Sequence, residues 1–342
     1  MTSSFGVAAL LLLTLSVSAG LTLRLSRSPM LLDHPNERSL HRAPVPRTGG
    51  LAVLAALGCA LALSLTFLAP GREWLWVAAA ALLVALISFL DDRGEVKPLF
   101  RLLAHLSSAL LLVAGGVLWD RVELPGLSWV LPAAIAVPLT LLFVTWMINL
   151  YNFMDGMDGL AGGMAVLGFS SLAVIGWETD LSYALTNAAC AAAAGGFLVG
   201  NFPPARIFLG DLGSAVLGLL AAASILVGAR HGFFPLWAGL LVFSPFIVDA
   251  TWTLLRRLMR GEPVWQAHRS HFYQRLVLAG WSHRRTVLWS YLVMGACGAT
   301  AVASLDMSER DQGLVLAAWA IIYAAIGLRV RLAERAAGIA RG

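Results

Sequence analysis

Of the 342 residues, 59% are hydrophobic and 13% are charged; the mean hydropathy is +0.79 and the formal net charge +5. An ordinary soluble domain is about half apolar and about a quarter charged, and one of this composition would expose aggregating apolar patches. A water-soluble enzyme, a disordered tail and a disulfide scaffold are therefore excluded, and a polytopic membrane protein remains.

A bilayer core takes about 20 apolar residues per helix. Apolar runs predict spans at roughly 5–23, 50–69, 74–90, 100–118, 129–148, 159–177, 182–200, 212–229, 233–254, 286–304 and 313–328. The runs at 159–177 and 182–200 are rich in Gly, Ala and Ser, which suits close helix contacts in lipid. Val17-Ser18-Ala19 has the form of a signal-peptide cleavage site. No Lys or Arg precedes the first run, however, and Arg24 and Arg27 follow it, so it is read as a span. The expected fold is all-α: a transmembrane bundle of about eleven spans in a single domain, 1–342. With the N-terminus periplasmic and the C-terminus cytoplasmic, 20 of the 24 basic residues face the cytoplasm, in accord with the positive-inside rule. Cys59, Cys190 and Cys297 all lie in apolar runs without metal spacing and read as packing residues.

The segments placed on the cytoplasmic side, 25–48, 91–99, 149–158, 201–211 and 256–285, hold nearly all the unusual polar residues. Arg38, His41, Arg42 and Arg47 stand in the first among prolines that stiffen the loop. Asp91 and Asp92 end a span; adjacent carboxylates repel, so they mark either a solvated helix end or a site that needs a cation. Asn149, Asn152, Asp155 and Asp158 recur every third residue, so on a helix neighbours in that series would share a face. Asp211 lies in FLGDLGS, where it reads either as a helix N-cap or as part of a phosphate site. His268, His271 and Arg275 would share a face if their loop is helical, with Arg269 beside them; the bland reading is a basic loop on anionic lipid. Carboxylate and amide oxygens suit Mg²⁺, and Arg, His and Lys suit phosphates. Together at one membrane face they point to phosphoryl transfer between a phosphorylated substrate and a lipid. The nucleotide-binding loops GxxxxGK[ST] and GxGxxG are absent, as are HExxH and GxSxG.

At these residues the chain resembles the polyprenyl-phosphate N-acetylhexosamine-1-phosphate transferases, glycosyltransferase family 4. The motifs are Asp91-Asp92, NxxNFxDGxDGL, FLGDLGS and HRSHFYQR, in that order. The DxPNxRxxH loop with HRSHxYQRL is similar to the bacterial branch that initiates O-antigen and related glycans. The peptidoglycan branch carries three successive histidines where this chain has His268-Arg-Ser-His271. The resemblance implies that a UDP-N-acetylhexosamine and undecaprenyl phosphate react at the cytoplasmic face of the bacterial inner membrane, releasing UMP. It implies Asp91 or Asp92 as the catalytic group, by direct attack of the lipid phosphate or through a covalent aspartyl intermediate. Asn152 and Asp211 would hold Mg²⁺, with Mn²⁺ as the alternative ion. Asp155, Asp158, Asn201 and Phe208 would contact the uridine side, and His268, Arg269 and His271 would grip the diphosphate and sugar; Lys97, Asn149, Arg38 and Arg47 complete the substrate-binding set. No nucleic acid is implied, and a homodimer is left open. Asp249, an acid inside the ninth run, is a functional candidate without an assigned role. The rival from another class is a transporter of a lipid or anionic solute. Transporter sites favour the midplane and repeat symmetry, whereas these acids gather at one face.

Overall fold

The computed structural model describes residues 4–28, 30–34, 44–66, 71–94, 96–263 and 268–339. The helices are α1 (Ser4–Leu25), α2 (Gly49–Ser64), α3 (Arg72–Arg93), α4 (Pro98–Ala114), α5 (Ala133–Met154), α6 (Leu160–Gly176), α7 (Leu181–Asn201), α8 (Gly210–Arg230), α9 (Leu236–Met259), α10 (Phe272–Leu278), α11 (His283–Ser304) and α12 (Glu309–Ala336). Each of the eleven apolar runs forms one of these helices, and α10 is an addition within the long loop before α11. Among the described residues, eight helices are long and apolar enough to cross a membrane: α1, α3, α5, α7, α8, α9, α11 and α12. The other three, α2, α4 and α6, have 16, 17 and 17 residues, short of the roughly 20 that a full span needs.

The fold also departs from all-α in two small antiparallel pairs. β1 (Leu32–Asp33) pairs with β2 (Val45–Pro46) in the first polar loop, and β3 (Arg121–Leu124) pairs with β4 (Leu127–Val130) at the other end of the bundle. The second pair takes Trp129 and Val130, which the hydropathy reading counted towards the fifth span. Pro125-Gly126 supplies the turn and Pro132 starts the helix afresh.

α8 is the hub: 94% of its apolar window is buried inside the protein, against 11% for α12 at the rim. α3 and α5 pack along α8, α6 and α7 pair with each other, and α9 joins α5 and α8 to α11. Side chains interlock across these seams. Tyr151 of α5 stacks edge-on with Phe246 of α9 at 5.0 Å, and Phe169 of α6 with Phe243 at 5.5 Å. Buried hydroxyls find carbonyls, as where Ser18 Oγ of α1 donates to Ala193 O of α7 at 2.6 Å. Within lipid such close packing and interhelical hydrogen bonds, rather than hydrophobic burial, hold helices together. The ends of α3, α5, α7, α9 and α12 and the starts of α4, α8 and α11 come to one end of the bundle, where the polar residues collect.

Candidate active site

Asp91 and Asp92 occupy the last turn of α3 and point to different partners. The Asp92 side chain is buried, and its oxygens accept the N–H groups of Leu212 at 3.0 Å and Asp211 at 3.4 Å. These amides belong to the first turn of α8, which has no cap of its own, so Asp92 caps that helix from across the bundle. Arg47 braces the same corner. Its Nη2 donates to the Asp92 carbonyl at 2.7 Å and its Nε lies 3.7 Å from the carboxylate. Gly210, at φ +76°, makes the turn between them, where a side chain would meet the Arg47 carbonyl and Asp92.

Asp91 points to α4 instead. One oxygen accepts the Val96 N–H at 2.9 Å, and the other lies 2.7 Å from Nη1 of Arg101 on α4. The same Nη1 is 3.8 Å from the Asp211 carboxylate. Asn152, on the last turn of α5, donates to Ser214 Oγ at 3.3 Å and lies beside Asp211. Asp155 completes the group. Burial pushes its carboxyl well above the ordinary carboxylate range, and the charges of Asp211 and Asp92 push it further. Among the described residues, Asp91, Asp92 and Asp211 thus share two guanidinia, with Asp155 in the field of the latter two.

The expected one-face series from Asn149 to Asp158 does not form. α5 ends at Met154, with Asp155 as its C-cap, and Asp158 sits in the following turn. Asn149 turns aside, its amide 3.2 Å from His105 Nδ1 of α4 and 2.7 Å from the Thr145 carbonyl. Asp158 accepts the Ala205 N–H at 3.1 Å and lies 3.4 Å from His283 at the start of α11. Burial works to raise this carboxyl, but the hydrogen bonds from His283 and Ala205 outweigh it and hold it below its usual value. Asn201 is buried as a structural pin, accepting the Gly159 N–H and donating to Ile207 O, both at 2.9 Å. Phe208 ties the loop to the first polar segment through its backbone: its N–H donates to Pro46 O at 2.7 Å, and its carbonyl accepts from Gly49 at 2.9 Å. Lys97 is exposed at the N-cap of α4. Arg38 lies outside the described residues, with His41 and Arg42.

The basic loop is not one helical face. His271 is the N-cap of α10, so His268 and Arg269 precede the helix. The rings of His268 and His271 stand 4.9 Å apart, and Arg269 is exposed. Burial, then the neighbouring His271 and Arg257, push His268 down to about 4. Arg275 turns away to form a buried two-pronged ion pair with Glu334 of α12, at 2.7 and 2.6 Å.

Asp249 acquires a role here. Its carboxylate accepts the Phe272 N–H at 2.9 and 3.0 Å and a Thr253 hydroxyl at 3.2 Å, and lies 3.4 Å from His271 Nδ1. It therefore anchors the start of α10 and orients His271. Sequence reasoning missed this role, and missed Arg101, His105, His283 and Glu334. Arg101 and His105 fall within a run read as apolar, although their spacing from Lys97 and from each other, i+4, marks one helical face.

Among the described residues no three His, Cys, Asp or Glu side chains form a closed metal site. Mg²⁺ is usually held by one or two carboxylates with substrate phosphates and waters. Asp211, Asn152 and Asp91 offer hard oxygens, and the excess of carboxyls over guanidinia is charge that a cation would offset.

Fold and site together define a multi-pass membrane protein with an acidic, arginine-bridged polar centre at one end of its bundle. Residues 74–229 match Glycosyl transferase family 4. The chain is 30% identical over 294 residues to the "Probable undecaprenyl-phosphate N-acetylglucosaminyl 1-phosphate transferase" of Bacillus subtilis, covering 82% of this chain and 79% of that protein. It is 32% identical over 335 residues to the "Decaprenyl-phosphate N-acetylglucosaminephosphotransferase" of Mycobacterium tuberculosis, covering 88% and 82%. Against the "Undecaprenyl-phosphate alpha-N-acetylglucosaminyl 1-phosphate transferase" of Yersinia pestis it is 26% identical over 318 residues, covering 90% and 86%. The chain belongs to glycosyl transferase family 4, the polyprenyl-phosphate N-acetylhexosamine-1-phosphate transferase superfamily.

Proposed function

We propose that the protein transfers N-acetylhexosamine-1-phosphate from a UDP-sugar to undecaprenyl phosphate, as the first lipid-linked step of a cell-envelope polysaccharide. The donor sugar is GlcNAc or a 6-deoxy relative. The observation that carries this reading is the Arg101 guanidinium set between Asp91 and Asp211, with Asn152 alongside. Relatives named as polyprenyl-phosphate GlcNAc-1-phosphate transferases support the donor and acceptor classes. The HRSHFYQR loop supports the branch that starts O-antigen and similar glycans.

In this reaction an oxygen of the lipid phosphate attacks the β-phosphorus. The bond from that phosphorus to the bridging oxygen breaks, UMP leaves with the oxygen, and the sugar stays on the transferred phosphate. Both substrates are anionic, so positioning and charge neutralisation dominate. Arg101, held by Asp91, offers donors to an arriving phosphate, and Asp91 orients them. Arg47 and Asp92 fix the start of α8, whose first turn presents Asp211. Asp211 and Asn152 would hold Mg²⁺, which when bound neutralises diphosphate charge. His271, aimed by Asp249, with His268 and Arg269, closes on the diphosphate and sugar; Asp155, Asp158 and Asn201 shape the nucleotide side. Eleven crossings, counting α2, α4 and α6 as short spans, would set the termini on opposite sides, and in this reading the site and the C-terminus are cytoplasmic and the N-terminus periplasmic. The arginine distribution supports that orientation.

The test is purified protein in detergent with undecaprenyl phosphate, Mg²⁺ and a panel of UDP-N-acetylhexosamines, reading the released nucleotide. UMP with a chelator-sensitive lipid-linked sugar is the expected result. UDP would make the protein an ordinary glycosyltransferase, and no nucleotide from any donor would favour the transporter reading.

A further inference from the structure

A cavity of about 550 Å³ opens between α9, α10, α11 and α12, with Met154 of α5 and Leu160 of α6 also on its wall; neither Asp91 nor Arg101 lines it. It exists because α12 stands away from the bundle. Polar ties fasten α12 at two levels: Tyr323 to Ser244 at 2.6 Å, and Glu334 to Arg275 nearer the end that carries the site. Between them the walls are apolar, with Phe246, Met294, Ile322 and Ile326 among the lining residues. Along α12 the lining runs from Ile322 to Val330, eight residues or about 12 Å of helix. That is close to the depth of one leaflet of a hydrocarbon core about 30 Å thick.

The same cavity ends in two guanidinia. Arg285 lies 3.9 Å over the Trp281 ring, and Arg329 faces the cavity from α12. Both are exposed, and neither has a carboxylate partner among the described residues. Trp281 and Trp289 stand on the α11 side, the residue type that gathers at the level of lipid headgroups. Asp249 also lines the cavity, but its oxygens are taken by Phe272, Thr253 and His271.

An apolar slot one leaflet deep, open at the side and capped by two unneutralised cations, is complementary to a lipid with an acyl tail and an anionic head. We propose that this groove binds an anionic glycerophospholipid of the leaflet facing the site, one acyl chain along α12 and the phosphate between Arg285 and Arg329. The slot shares no lining residue with the Asp91, Arg101 and Asp211 cluster, so it is assigned to a membrane lipid rather than to the polyprenyl substrate. The assignment requires only that the chain sits in a bilayer, and it stands apart from the transferase reading.

The experiment is native mass spectrometry of the detergent-purified chain, titrated with phosphatidylglycerol or with phosphatidylcholine of the same acyl composition. Two arginines beside an anionic headgroup predict a preference for phosphatidylglycerol of about tenfold or more. The double variant Arg285→Gln/Arg329→Gln should bring that preference down to the phosphatidylcholine level. Ile326→Trp, which fills the slot, should weaken both lipids. Arg284→Gln, at an exposed neighbouring position, should change neither, and thermal melting checks that each variant is folded. Equal binding of the two lipids, or an unchanged preference in the folded double variant, would overturn the proposal. So would one-for-one displacement of phosphatidylglycerol by undecaprenyl phosphate, which would assign the slot to the substrate's tail.

Discussion

Arg101 lies 2.7 Å from Asp91 and, through the same nitrogen, 3.8 Å from Asp211, so one α4 side chain joins the end of α3 to the start of α8. It is placed to hand its donors to an incoming phosphate. Arg101→Gln should lower turnover about a hundredfold, the order seen when one donor to developing charge is removed. Arg101→Lys should recover little of it, because an ammonium held by the two carboxylates lacks the further planar donors that the guanidinium keeps for a phosphate. Steady-state kinetics of the two variants checks this; near-normal turnover in Arg101→Gln would refute it.

The two adjacent aspartates should separate experimentally. Asp91→Asn should keep the fold and lose turnover, since its carboxylate holds Arg101 and caps no buried helix start. Asp92→Asn removes a charged acceptor from two buried amides and should cost about 1–3 kcal/mol of stability as well. Melting temperatures beside activities would reveal the difference, and equal melting of both variants would argue against the capping role.

Removing the divalent ion should abolish turnover reversibly. Asp211→Ala should raise the Mg²⁺ concentration needed for half-maximal rate by about tenfold or more. A metal titration checks this; an unchanged half-saturation point would leave Asp211 as a helix-end residue only.

His268 sets a pH dependence of known sign. In the unfolded chain a histidine takes up a proton below about pH 6.5. In the folded protein His268 does so only below about 4. Between those values the unfolded state binds more protons, so stability falls as pH drops across that window and is fully present above it. His268→Gln should flatten this part of the melting-temperature profile while leaving the profile above pH 7 unchanged.

Glu334→Gln leaves Arg275 buried with half its partner. The expected loss is about 3–5 kcal/mol, the usual penalty for breaking a buried pair. Because Arg275 lies in the helix that His271 begins, KM should rise along with the fall in melting temperature. Exchanging the two residues, Arg275→Glu with Glu334→Arg, should restore part of both. No recovery in the exchange variant would mean that shape rather than charge holds α12 to α10.

Much of this was legible in the sequence because lipid leaves the backbone few choices. Where water cannot satisfy amides, an apolar run must become a helix, and all eleven runs did. Asp91-Asp92, Asn152 and Asp211 were visible as polar residues at run boundaries. Periodicity misled at Asp155 and Asp158, because a three-residue spacing continues past Met154 although the helix does not. Hydropathy misled at 129–130, where exposed apolar residues of a hairpin run on into those of a span. Arg101 was hidden by its apolar neighbours, and the partners of Asp249 and Arg275 lie 22 to 59 residues away in the chain. No local pattern announces a partner at that separation.

The Asp92 cap bears on the order of assembly. The first amides of α8 have no acceptor within their own helix, and an unsatisfied amide near the lipid boundary is costly. α8 therefore completes its first turn only against a finished α3. Synthesis runs from the N-terminus, so α3 and its carboxylate leave the ribosome 119 residues before Asp211 does. The acceptor is waiting in the bilayer when its donors arrive, and the central helix can insert into a slot that α2, α3 and α5 have already shaped.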